Sequence, residues 1–107
     1  MEKRKEVFLL GFENDFDKNF IYLKSKSPKN AISFAKNVDK KVEGIKQNPK
    51  LFPTERYLYT KRRLYRFSLV MKSWKIIYKV TNSKLIFLGI IHTAQHPSKI
   101  KNLRTSL

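Results

Sequence analysis

A chain of 107 residues with 24 Lys and Arg against 8 Asp and Glu carries a formal charge of +16. That balance points to one small domain whose self-repulsion is relieved by an anionic partner: nucleic acid, an acidic protein or an anionic membrane surface. The lack of cysteine excludes disulfide and thiolate chemistry, and no apolar run approaches the roughly 18 residues that would span a bilayer.

At the N-terminus, MEKRKEVFLL has the positive start of a leader but only a four-residue apolar run. A secretory core needs about 7–15 such residues, so a cytosolic location is the expectation. Residues 6–10 then read as a short apolar strand that Gly11 breaks. Asn14 or Asp15 is placed to cap a helix carrying Phe16, Phe20 and Leu23, with acids in its first turn and lysines in its last. That helix should stop at 25–27. Ser27 followed by Pro28 is a start signal for a second helix, because the serine oxygen accepts from a free amide and proline fits the first turn. Its apolar stripe is Ala31, Phe34 or Ala35, Val38, Val42 and Ile45; Lys36, Asn37, Lys40, Lys41 and Lys46 form the solvated face, and Gln47-Asn48-Pro49 closes it. The two helices should form an antiparallel hairpin on one face of a sheet.

After Pro53, Arg56-Tyr57-Leu58-Tyr59 reads as an irregular edge strand. Residues 62–70 alternate, with Leu64, Arg66, Ser68 and Val70 on one face and Arg63, Tyr65, Phe67 and Leu69 on the other. Trp74, Ile76, Tyr78 and Val80 again alternate with Lys75, Ile77 and Lys79. A turn at Thr81-Asn82-Ser83 leads into residues 84–93, apolar on both faces as befits a central strand. The tail from Pro97 is basic and polar. The fold expected is a single α+β domain over 1–107: an antiparallel meander with an N-terminal strand, the helical hairpin on one face, and a basic exposed face opposite. Ile77, Ile86, Leu88, Ile90, Phe20, Val38 and Val42 should be buried between helices and sheet.

Charge is unevenly placed. All eight acids (Glu2, Glu6, Glu13, Asp15, Asp17, Asp39, Glu43, Glu55) precede residue 56, whereas 56–107 holds twelve Lys and Arg and no acid. That half offers no carboxylate as general base, nucleophile or magnesium ligand, which argues against a two-metal nuclease. His92 and His96 are the only side chains that titrate near neutrality. Without a helix, a cysteine or a nearby acid they make no metal site, and no cofactor motif is present. Each has a plain alternative: His92 ends a buried strand and suits a loop hydrogen bond, while a run of edge cations also discourages aggregation. Arg62, Arg63, Arg66, Lys72 and Lys75 are the candidate ligands for phosphate or for an acidic partner.

The short first strand, the hairpin ending in KQNPKLFP, the segment LYRFSLVMKSWKIIYKV and the terminal IIHTAQHP together resemble the RelE/ParE superfamily of toxins from type II toxin–antitoxin modules. The resemblance covers about residues 6–100. It implies a growth-arresting α+β domain neutralised by an acidic cognate antitoxin, in a toxin–antitoxin hetero-oligomer. Some members cleave mRNA on the ribosome and others poison DNA gyrase. Ribonuclease members usually carry arginines after the last strand; here that segment is Thr93-Ala94-Gln95-His96-Pro97, closer to the ParE-like subset. Three readings stay open: a gyrase poison without chemistry of its own, a metal-independent endoribonuclease using His92 and His96, and a nontoxic basic nucleic-acid-binding domain.

Overall fold

Ser27 and Pro28 separate two helices as their chemistry requires. In the computed structural model, which describes residues 3–107, helix α1 spans Leu10–Lys26 and α2 spans Pro28–Gln47, with the Ser27 side chain accepting from Asn30 N at 3.3 Å. α2 buries Ala31, Phe34, Val38, Val42 and Ile45, so Phe34 rather than Ala35 completes the stripe. α1 begins a turn earlier than Asn14 or Asp15. Strand β1 is Lys5–Phe8, and the chain enters the helix directly through Leu9, whose amide bonds Phe87 O while its carbonyl takes the first helical amides. Gly11 therefore lies inside the helix and does not break a strand. Phe12 is the buried anchor of α1; Phe20 is only half-buried.

Strands β2 (Tyr65–Val70), β3 (Trp74–Val80) and β4 (Lys84–His92) form the antiparallel meander, and β1 adds parallel to β4. The order β1-β4-β3-β2 makes β4 central. Gly89 faces Ile77 but Phe87 faces Tyr78, so Leu88 is the extra residue of a bulge. The bulge changes the parity of β4: Leu85, Phe87 and Ile90 pack on the helical side with Trp74, Ile76, Tyr78 and Val80, while Ile86, Leu88 and Ile91 pack on the other.

That other face is covered, contrary to the expectation of an exposed basic surface. Residues 56–59 are not a strand: Arg56–Leu58 is a single 3-10 turn. Together with a short helix α3 (Ser98–Lys101) it closes a second core of Leu58, Tyr65, Ile77, Ile86, Leu88, Ile91 and Ile100. Ile77, Ile86 and Leu88 are thus buried as expected, but beneath the tail rather than beneath the helices. Tyr65 and Lys79 pin the end of the tail: the Tyr65 hydroxyl donates to Thr105 O and accepts from Thr105 N, and Lys79 Nζ donates to Thr105 O and Leu107 O. A lysine on this face is tolerated because its ammonium donates to two backbone oxygens of the tail and lies over the Tyr65 ring.

Candidate functional site

The sequence-predicted site residues fall into three places. At the end of the sheet where β2 starts and β3 turns into β4, Arg62, Arg63 and Arg66 line a cleft of about 270 Å³ with Lys50, Leu64, Val80, Thr81 and Asn82. Local chemistry sets each cation. Arg66 is half-buried, its Nη1 donating to Phe52 O at 2.6 Å, which holds the guanidinium at the cleft wall. Arg63 has φ 54, a left-handed backbone unusual for a residue with a Cβ; it follows from a tight turn in which Arg63 N bonds Thr60 O and Leu64 N bonds Thr60 Oγ1. Beneath, the Tyr78 hydroxyl donates to Pro49 O. Burial pushes that phenol well up, against the opposing pull of Arg66, so it stays neutral. No described carboxylate lines the cleft or pairs with its cations.

Lys75 stands elsewhere and is not free. It points to the tail side of the sheet, lies over the Phe67 ring at 4.3 Å, and pairs with Glu55 at 3.0 Å. Glu55 is fully buried and also accepts from Tyr57 N at 3.0 Å. The sheet half therefore does hold a carboxylate, supplied by the loop that precedes it. Lys75 and His92 share a smaller cleft of about 140 Å³ with Arg56, Tyr57, Thr93, Gln95 and Pro97. Lys72 lies at the exposed tip between β2 and β3, at the far end of β2 from Arg66.

His92 ends β4 and His96 sits in the loop that follows, but both are used locally. His92 packs edge-on against Trp74, with 5.5 Å between ring centroids, and its Nδ1 accepts from Ala94 N at 3.1 Å. His96 Nδ1 accepts from Ser98 N at 3.1 Å. An imidazole whose Nδ1 accepts from a backbone amide carries its proton on Nε2, so it has no lone pair there to act as a base. No group of three or more His, Cys, Asp or Glu among the described residues is placed to hold a metal, and no described helix is long and apolar enough to cross a membrane.

Sequence reasoning missed Lys50, which reaches the first cleft from the loop after α2, and Glu55, whose burial is visible only once Lys75 faces it. Missed too was Asp15: its carboxylate leaves the helix start and accepts from Ile90 N at 2.9 Å. Gly89 makes room, since a Cβ there would lie 2.9 Å from the Asp15 oxygen. β1 pairs β4 only as far as Phe87, and the outer edge of β4 beyond it is closed by side chains: Asp15 on Ile90 N and Gln95 Oε1 on His92 N.

Against known proteins, residues 7–97 match the family model described as "ParE toxin of type II toxin-antitoxin system, parDE". A search of curated proteins finds no match. Among solved structures, the chain is similar to one from the chromosomal ParDE TA system of P. aeruginosa, with 11% identity and a TM-score of 0.67 over 84% of this chain and 96% of that one. It is similar also to one from the E. coli DinJ-YafQ complex, with 22% identity and a TM-score of 0.50 over 85% and 94%. At these identities the likeness is one of fold.

Proposed function

Because this chain belongs to the ParE toxin family of type II toxin–antitoxin systems, we propose that it arrests growth by gripping and poisoning DNA gyrase, and that an acidic cognate antitoxin neutralises it. What supports a binding poison over a cutting one is the state of the two histidines, each with its Nδ1 engaged by the loop's own backbone. Neither presents a free base toward solvent, and the segment after β4 brings no arginine in their place. Growth under induction, run beside a gyrase cleavage assay and primer extension on cellular mRNA, tests this. His92→Ala and His96→Ala should remain toxic, with damage appearing as DNA breaks. Codon-phased transcript cuts that need either histidine would overturn the gyrase reading.

A second reading, metal-independent mRNA cleavage, draws support from one cleft: His92 and Lys75 line it with Arg56 and Tyr57. Nε2–H of His92 is suited to donate a hydrogen bond to a phosphate oxygen there, and Lys75 and Arg56 to stabilise the phosphate as charge builds. It lacks both a general base and, with His92 neutral, an imidazolium to serve as general acid.

The antitoxin's carboxylates are expected to cover Arg63, Arg66 and Lys72. Arg66 and Lys72 stand at opposite ends of β2, roughly 20 Å apart by strand geometry, so an extended acidic segment lying along β2 would reach both. Association should be fast and salt-sensitive. Co-purified with the product of the neighbouring reading frame, the chain should form a complex at low ionic strength; its failure to do so sinks this part.

A further inference from the structure

The cleft of Lys50, Arg62, Arg63 and Arg66 carries four cations and no described acid. By contrast Lys46 and Lys75 both have carboxylate partners. Three features narrow what this concentrated charge receives. No aromatic side chain lines the cleft, since Tyr78 is fully buried beneath it; a single strand with splayed bases therefore finds no stacking platform. The walls are Leu64, Val80, Thr81 and Asn82, with no paired carboxamide or acid set out to read base edges. Nor is there an open strand edge beside it for a peptide to join: Thr54 bridges Arg66, Glu55 N bonds Tyr65 O, and Phe67 N bonds Pro53 O. What remains is a ligand that offers closely spaced negative charges on a regular backbone and asks for neither stacking nor strand pairing.

We propose that this cleft binds the phosphodiester backbone of duplex DNA without regard to sequence, and that the toxin holds the DNA segment engaged by its target as well as the target protein. Arg66, fixed by Phe52 O, supplies a preset fork toward a phosphate. Arg62, Arg63 and Lys50 then track neighbouring phosphates and release their counterions. The inference rests on the gyrase reading for its context but not for its chemistry. It also gives neutralisation a mechanism, because an acidic segment over Arg63 and Arg66 occupies the DNA contact.

Fluorescence anisotropy of the purified chain with a short labelled duplex of arbitrary sequence, from ~50 to ~200 mM salt, tests it. Arg62→Gln/Arg63→Gln should lose roughly tenfold in affinity per phosphate contact at ~50 mM salt and flatten the log–log salt slope by about 0.9 per contact. Lys36→Gln/Lys40→Gln, which removes two equal charges from the exposed face of α2, should keep the wild-type slope. Thermal melts confirm that both variants fold, and Lys50→Gln provides a separate single-charge check. Equal losses in the two double variants would mean that only overall charge matters and would overturn the proposal. So would a cleft variant that loses binding to an oligoglutamate peptide while keeping the duplex. In a gyrase cleavage assay, a cleft variant that poisons as well as wild type sinks the DNA contact and leaves the gyrase reading intact. Wild-type protein that binds duplex through the cleft yet stabilises no gyrase breaks does the reverse.

Discussion

Asp15 shows how much one side chain decides here. Its carboxylate closes the edge of β4 at Ile90 N, and burial raises its pKa above the ordinary 3.8 despite the Ile90 bond and the nearby Lys18 and Lys99. A carboxyl whose folded pKa is raised favours the folded state most below its unfolded pKa. That contribution is lost as pH climbs from 3.8 through the raised folded value. Asp15→Asn should therefore gain stability relative to wild type across that window and level off above it. Denaturant melts at a series of pH values measure this; a pH-independent difference would refute the assignment. Gly89→Ala places a methyl 2.9 Å from the same oxygen and should unseat it, leaving the Ile90 amide unpaired at a cost of about 1–3 kcal/mol. Glu55 is the second such residue. Glu55→Ala strands the Lys75 ammonium and should destabilise by about 3 kcal/mol, whereas Glu55→Gln, which still accepts from Tyr57 N, should cost less; equal losses would show that the charge is immaterial.

The connection between β2 and β3 carries strain that composition does not announce. Met71 and Lys72 have φ 51 and 63, and Ser73 N closes the turn onto Val70 O at 3.1 Å, the type I′ geometry that favours Asn-Gly. Left-handed backbone costs an ordinary residue about 1–2 kcal/mol, so Met71→Asn/Lys72→Gly should raise stability by about that much, read as a higher denaturant midpoint at unchanged slope. α2 was legible because each of its signals is local: the Ser27 cap, Pro28, and an apolar stripe of helical period. The three strands of the meander were legible for the same reason. The start of α1 was not, since Leu9 has no side-chain cap and the helix start is set by an amide that bonds Phe87, far away in sequence. The tail looked polar because Ile100 and Leu103 are isolated among lysines, and only the exposed second face of the sheet gives them something to cover. For the site, sequence supplied Arg62, Arg63 and Arg66 but joined Lys75 to them. Alternation along β3 fixes which face Lys75 takes, yet not that a glutamate from the preceding loop waits there.

At the scale of the molecule, +16 over 107 residues sets folding against electrostatics. Only Lys46 and Lys75 have described ion-pair partners, so added salt screens far more repulsion than attraction. The isolated chain should melt at higher temperature in ~150 mM salt than in ~10 mM, and a fall instead would indicate that its ion pairs matter more than its net charge. The parallel pairing of β1 with β4 has another consequence, which concerns time. Lys5 lies opposite Lys84 and Asp15 reaches Ile90, 75 residues on, so the first strand and the first helix wait for the last strand before they find their place. Contacts of such separation are late and slow to form. A nascent chain that has made both helices and the β2–β3 hairpin still has no central strand on which to assemble them. A toxin built on this topology has no complete sheet until its fourth strand has been made.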